Sequence, residues 1–335
     1  MISLRENLAK IGIGPGTLFS YRNSFSSRPS SLREAIRSMN APQYWQQVSD
    51  IPRDDFWVDE VQGVAWDGSN WIFSCNANQS KPDVNDKSIY VFRGGQSLAD
   101  NQWICRIAYK DVPHPIAGLY ESDDHWGQVT VHNGFVYVSH FWSGGPKQGQ
   151  SNVVVFKNSG GILQYHNWIA LEQVTSSDGR TGFPEFQAIN PWDGKFYSCL
   201  GGEEYVREFY VHSPDSGLWE GKKSFRLSGL LPRKVQGACF SDNGHLYVAV
   251  DCRFTDWGLD YKWIFYYSAL NGSFLGKIPV LAKEDDQELE GICFAATSFA
   301  DGRIAQIHAV LLENRNAALD NIFFKSFSAD LPEAV

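Results

Sequence analysis

Glu60, His125, Glu185, Lys234 and Glu288 each open the same degenerate pentapeptide. Its copies are Glu60-Val61-Gln62-Gly63-Val64, His125-Trp126-Gly127-Gln128-Val129, Glu185-Phe186-Gln187-Ala188-Ile189, Lys234-Val235-Gln236-Gly237-Ala238 and Glu288-Leu289-Glu290-Gly291-Ile292. Equivalent placement in the fold would bring these first residues into one ring. Gln62, Gly127, Gln187, Gln236 and Glu290 would form a second. Carboxylates held together shift one another's pKa unless something compensates. Lys234 compensates in part. A Ca2+ or other divalent ion in a central channel would do so through carboxylate and carbonyl oxygens, with Asp285, Asp286 and Glu290 adding more. The amides of Gln62, Gln187 and Gln236 either meet a ligand or bind one another, backbone carbonyls and trapped water.

A histidine beside an acid can serve as general base. His125 follows Asp123 and Asp124, and His140 ends the next apolar run, so two imidazoles are expected near one mouth. Polar loop residues without a catalytic part are the alternative reading. The candidate catalytic groups are His125, His140 and Glu185. The candidate ligand contacts are Gln62, Gln187, Gln236, Asp251, Glu288 and Glu290, with Trp126 and Trp142 as aromatic walls. A wedge between structural units suits Trp126 equally well. Trp142, followed by Ser143-Gly144-Gly145, is expected to be exposed. His308 stands where other units carry Phe73, Tyr137, Tyr197 and Tyr247, and is expected in the core.

The elements that must position these groups follow from the repeat. Its middle positions, 62, 127, 187, 236 and 290, lie 65, 60, 49 and 54 residues apart. Strand-rich repeats of this length indicate a propeller. After each copy comes a tight turn containing Asp-Gly or Asn-Gly, such as Asp67-Gly68 and Asn133-Gly134. Runs rich in β-branched and aromatic residues follow, such as Trp71-Ile72-Phe73-Ser74-Cys75 and Val153-Val154-Val155-Phe156. Four units have four such runs, whereas the fifth has three. The segment around Tyr44-Trp45-Gln46-Gln47-Val48 can supply the missing strand and remove the last open sheet edge. The expected fold is all-β: a five-bladed β-propeller of four-stranded blades over 43–335, closed by an N-terminal strand. Residues 1–42 are expected to form an arm with two short helices, begun by the capping boxes Ser3-Leu4-Arg5-Glu6 and Ser31-Leu32-Arg33-Glu34.

The links between first and second strands are short, while those between second and third are mostly long. In a propeller the long ones gather on one face around the axis, which makes that face the expected ligand side. The net charge of −9 and the lack of a Lys/Arg cluster exclude a nucleic-acid-binding surface. No apolar run approaches the ~18 residues of a membrane span. No apolar stretch with a cleavage site follows Met1, so a cytoplasmic location is expected. The six cysteines show no CxxC spacing and read as small core residues.

Glu60-Val61-Gln62-Gly63-Val64-Ala65-Trp66 resembles the first-strand motif of gluconolactonase-like and strictosidine-synthase-like propellers. That resemblance implies a divalent-metal ligand at Glu60. Those propellers are usually six-bladed, whereas five units are present here. Five-bladed propellers include arabinanase-like glycosidases and tachylectin-type sugar binders. The opening Asp-Pro pattern of the former and the near-identical repeats of the latter are absent. Three functions follow as expectations: a small-molecule-binding protein with one site over the channel; an enzyme there; or a protein-interaction scaffold. The enzyme would be a metal-assisted hydrolase or lactonase with Glu60 and Asp251 as ligands, or a metal-free acid–base lyase or cyclase.

Overall fold

The computed structural model describes residues 44–47, 60–76, 87–95, 98, 102–113, 124–142, 149–201, 205–212, 223–241, 244–256, 259–282, 287–298, 304–313 and 321–327. The expected helical arm lies outside them, as do most of the long loops.

Strand β1 is Tyr44–Gln47. Blade 1 contains β2 Val61–Trp66, β3 Asn70–Cys75, β4 Ser88–Arg93 and β5 Trp103–Ala108. Blade 2 contains β6 Asp124–His132, β7 Phe135–Trp142, β8 Ser151–Ser159 and β9 Ile162–Ala170. A small hairpin follows, β10 Val174–Thr175 with β11 Thr181–Gly182. Blade 3 contains β12 Glu185–Ile189, β13 Phe196–Cys199, β14 Glu208–His212 and β15 Lys223–Arg226. Blade 4 contains β16 Val235–Phe240, β17 His245–Asp256, β18 Leu259–Ser268 and β19 Phe274–Ala282. Blade 5 contains β20 Gln287–Ser298, β21 Ile304–Glu313 and β22 Asn321–Phe327, and β1 completes it. Tyr44 to Gln47 run antiparallel to Ser326 to Phe323, so the N-terminal strand closes the ring as expected.

The inner strands β2, β6, β12, β16 and β20 touch in that order, and β20 returns to β2. Apolar side chains fill each seam between blades. Trp71 of blade 1 packs edge-on against Phe324 of blade 5, ring centroids 4.8 Å apart. Tyr197 of blade 3 packs on Phe240 of blade 4 at 4.7 Å. His308 lies in this core, 1% exposed, bonded to Ser326 Oγ at 2.7 Å and the Ala295 carbonyl at 3.0 Å.

The pentapeptide is a recurring β-bulge. Register shifts fall between Val61 and Gly63, Trp126 and Val129, Phe186 and Ala188, Val235 and Gly237, and Leu289 and Ile292. A bulge adds one residue to the inner strand and bends it locally. Glu60 and Lys234 precede theirs at φ 52° and 48°, a left-handed conformation that costs a non-glycine residue about 1–2 kcal/mol. Their carbonyls accept from Asn76 N at 2.8 Å and Asp251 N at 2.9 Å, which holds both residues in place.

Glycine after the bulge lets inner strands approach closely. A Cβ on Gly63 would stand 2.6 Å from the Gly127 carbonyl oxygen, and one on Gly291 would stand 2.7 Å from the Gly63 Cα. Blade 2 inverts the order to Gly127-Gln128, which places a long amide where other blades have Gly63, Ala188, Gly237 and Gly291. Gln128 is 2% exposed. Its Nε2 donates to the Ile292 carbonyl at 2.5 Å and the Ala238 carbonyl at 3.3 Å, and its Oε1 accepts from Ile292 N at 3.3 Å. One side chain from blade 2 thus ties blades 4 and 5 together and plugs the axis.

Candidate functional site

The inner strands run the same way around the ring, so the first residues of the pentapeptides lie at one end of it, the expected mouth. Blade 2 contributes His125. Its Nε2 lies 2.9 Å from Gln62 Oε1 of blade 1, and its ring lies against Phe141 at 4.6 Å. Since Gln62 Oε1 accepts, Nε2 carries the proton. Burial, then the nearby Lys87 and His140, push the His125 pKa down to about 3. The imidazole is therefore neutral and weakly basic, a positioning donor rather than a strong general base.

Two sequence expectations, for Trp142 and His140, need correction, and for Trp126 one of the two readings holds. Trp142 is 1% exposed rather than open, because its ring packs edge-on against His140 at 4.8 Å. Trp126 is fully buried in the seam between blades 1 and 2, so it wedges blades instead of walling a ligand. His140 is also fully buried, between Tyr109, Trp126, Trp142 and Trp168. It does not open on the mouth as a base would have to. Asn76 secures this side: its Nδ2 donates to the Trp126 carbonyl at 2.9 Å, and its Oδ1 accepts from Trp126 N at 2.7 Å.

Blade 3 contributes Glu185, half-buried at the start of β12. Gly201 makes room for it, since a Cβ there would fall 2.4 Å from Glu185 Oε1. Burial alone pushes this carboxyl up to about 7, with no offsetting charge among its influences. Gln187, in the bulge below, is 2% exposed and its Oε1 has no hydrogen-bond partner.

Blades 4, 5 and 1 contribute a group of acids. Glu290 is 3% exposed, with Glu288, Asp251 and Glu60 nearby. Burial first, then those three carboxylates, push the Glu290 carboxyl well above its ordinary value. Its Oε1 accepts from Gln236 Nε2 at 3.4 Å, and it shares a hydrogen bond with Glu288. Asp251 is bound to Lys262 Nζ at 2.6 Å and accepts from Leu289 N at 2.9 Å. Burial still pushes its carboxyl up, against the pull of Lys262. Lys262 is 6% exposed and was not anticipated. The signal was a single lysine in an apolar run, beside the partner of Val250 across a hairpin. Among the described residues, no three His, Cys, Asp or Glu side chains are grouped to hold a metal ion. No helix among them is long and apolar enough to cross a membrane.

No family model matches the sequence, and no curated protein matches it. The fold has solved counterparts. An exo-beta-1,3-galactanase from Clostridium thermocellum aligns at TM-score 0.50 and 13% identity, over 81% of this chain and 60% of its own. This chain therefore spans less than two thirds of the galactanase's length. A GH43_1 enzyme from Xanthomonas citri, complexed with xylotriose, aligns at TM-score 0.50 and 12% identity, over 90% of this chain and 96% of its own. At such identities the likeness establishes the propeller architecture alone. Neither is a gluconolactonase or strictosidine synthase; what holds of the sequence resemblance is the propeller class.

Proposed function

We propose that the loop-rich mouth binds a neutral sugar and that Glu185 acts there as a proton donor, making the protein a glycoside hydrolase. The observation that carries this is the contrast across the ring. Blade 3 stands opposite the junction of blades 5 and 1. On one side burial raises the Glu185 carboxyl to about 7, so that a large share of it holds its proton near neutral pH. On the other are Glu60, Glu288 and Asp251, crowded around Glu290. Glycoside hydrolysis uses such a pair, one carboxyl protonating the leaving oxygen and one carboxylate acting as base or nucleophile. Between the two sides, blades 2 and 1 place the bonded pair His125 and Gln62, whose bond a sugar hydroxyl would have to share or replace. The concentration of acids disfavours uronic acids and other anionic ligands.

The two solved counterparts act on or hold β-1,3-galactan and xylotriose, so those oligosaccharides are the first probes. Xylotriose or β-1,3-galactotriose should raise Tm and be cleaved. Glu185→Gln should cut turnover about 10²–10⁴-fold with binding kept. Unchanged turnover in Glu185→Gln would remove the proton donor. Tight binding without cleavage would leave a sugar-binding module, and no thermal response to any neutral saccharide would end the sugar reading.

The metal-assisted hydrolase or lactonase, with Glu60 and Asp251 as ligands, is the competing mechanism. We favour the metal-free one because Asp251 is already engaged by Lys262 and the Leu289 amide. Elemental mass spectrometry of undialysed protein separates the two: about one calcium or other divalent ion per chain would replace our reading.

A further inference from the structure

Four of the five bulges carry a glutamine: Gln62, Gln128, Gln187 and Gln236. Three of these amides are engaged within the protein. Gln62 Oε1 accepts from His125 Nε2 of the next blade at 2.9 Å. Gln236 Nε2 donates to Glu290 Oε1 of the next blade at 3.4 Å. Gln128 binds the backbones of blades 4 and 5. Gln187 differs: it is 2% exposed, and its Oε1 has no hydrogen-bond partner. An amide oxygen withdrawn from water and left unbonded disfavours the fold, so its presence needs a reason.

The position of Gln187 supplies one. It is the extra residue of the blade 3 bulge, between Phe186 and Ala188. The matching residues of blades 1 and 4, Gln62 and Gln236, stand between Val61 and Gly63 and between Val235 and Gly237. Both reach ring residues of the blade that follows, so this bulge aims its extra side chain into the ring. The same bulge aims Gln187 there, two residues along β12 from Glu185. Its counterpart on the next blade, the Gln236 amide, is turned away to Glu290. An amide holds an acceptor and a donor side by side. That pair complements two adjacent hydroxyl groups, one donating and one accepting, as neutral sugars carry on neighbouring carbons.

We propose that Gln187 determines specificity at the mouth by binding two adjacent hydroxyls of the sugar ring whose glycosidic oxygen meets Glu185. The inference rests on the sugar reading above and narrows its substrate to saccharides with a free vicinal diol beside the scissile bond. Rings that lack either hydroxyl are rejected, because the amide would stay unpaired in their complexes. Sites built to hydrogen-bond a hydroxyl reject analogues without it far more strongly than apolar pockets reject a methylene. Hydrogen bonds to the hydroxyl next to the anomeric carbon also strengthen in the transition state.

The test is calorimetry and thermal unfolding of the full chain with xylotriose, β-1,3-galactotriose and the singly deoxygenated forms of whichever binds. In wild type, removing either of two adjacent hydroxyls should weaken binding about tenfold. Gln187→Met keeps the length and removes the amide. It should bind the parent saccharide about tenfold more weakly and no longer distinguish those two deoxygenated forms. Without ligand it should melt no lower than wild type, since no bond of Oε1 is lost. If the variant does not fold, the deoxygenated series on wild type decides, and affinities unchanged across it overturn the proposal. Equal affinity in Gln187→Met and wild type, with Glu185→Gln still slowing turnover, would overturn this assignment alone, the amide then holding only trapped water. A lower Tm of ligand-free Gln187→Met would also overturn it, by showing that the amide supports the fold. Weaker binding in Gln187→Met, with turnover unchanged in Glu185→Gln, would uphold the diol contact and remove the proton donor. No response of wild type to any neutral saccharide would remove both.

Discussion

At the scale of single residues, the mouth is governed by which groups are held uncharged. Glu185 has its carboxyl raised from 4.5 to about 7 by burial. Folding therefore favours its protonated form. The resulting stability is complete below the ordinary carboxyl value and is lost as pH rises through 7. Glu185→Gln should thus gain roughly 1–3 kcal/mol over wild type at pH 8, a gain that vanishes by pH 4. Urea unfolding at the two pH values measures it, and an equal difference at both would contradict the assignment. The residue types at the mouth were legible in the sequence, because all five pentapeptides start there. Their chemistry was not. Two glutamates of the same repeat position, Glu185 and Glu288, differ in what stands beside them. Glu288 lies among Glu290 and Asp251, while Glu185 has Cys199 and Gly201 as neighbours from its own blade. His140 and Trp142 misled for a related reason: a strand end beside glycines suggests exposure, but rings from β9 and from the turn after β5 cover His140, which itself packs against Trp142.

At the scale of elements, the bulge explains the repeat. Every pentapeptide keeps a small residue or Gln128 directly after it, since backbone meets backbone there. Gly63→Ala should cost about 1–3 kcal/mol, because its new methyl meets backbone oxygen and nitrogen of β6 that have no room to retreat. A shift in urea midpoint with the slope unchanged is the expected signature; no shift would mean that the strands stand further apart. Gln128→Ala should cost roughly 2–4 kcal/mol, since it leaves the Ile292 and Ala238 carbonyls unpaired and a void on the axis. The sequence showed this element in plain view, as the inverted pair Gly127-Gln128. Reading the repeat by its middle position put Gly127 in the ring and passed over its neighbour, because a one-place slip in a strand changes which side a residue faces.

At the scale of the whole molecule, ring and closure were legible because five turn-and-strand units are hard to arrange otherwise without open edges. The uneven intervals obscured only the detail of the loops. Removing residues 1–48 should expose the outer edge of β22, lower Tm by roughly 5 °C or more, and produce larger species on size-exclusion chromatography. A synthetic peptide spanning 41–50 should partly reverse both effects by adding back a strand. An unaltered, monodisperse truncation would show that β1 closes nothing of consequence. The same closure sets an order of events in the cell. β1, Tyr44–Gln47, is made long before β22, Asn321–Phe327. With synthesis at about 5–20 residues per second, β1 must wait tens of seconds for β22, its neighbour in the sheet. Blades 1 to 4 can form hairpin by hairpin as they appear, yet the circle cannot shut until translation has reached β22. For this protein, then, the ribosome acts as a clock, and the strand that shuts the ring stands without its partner in the interval.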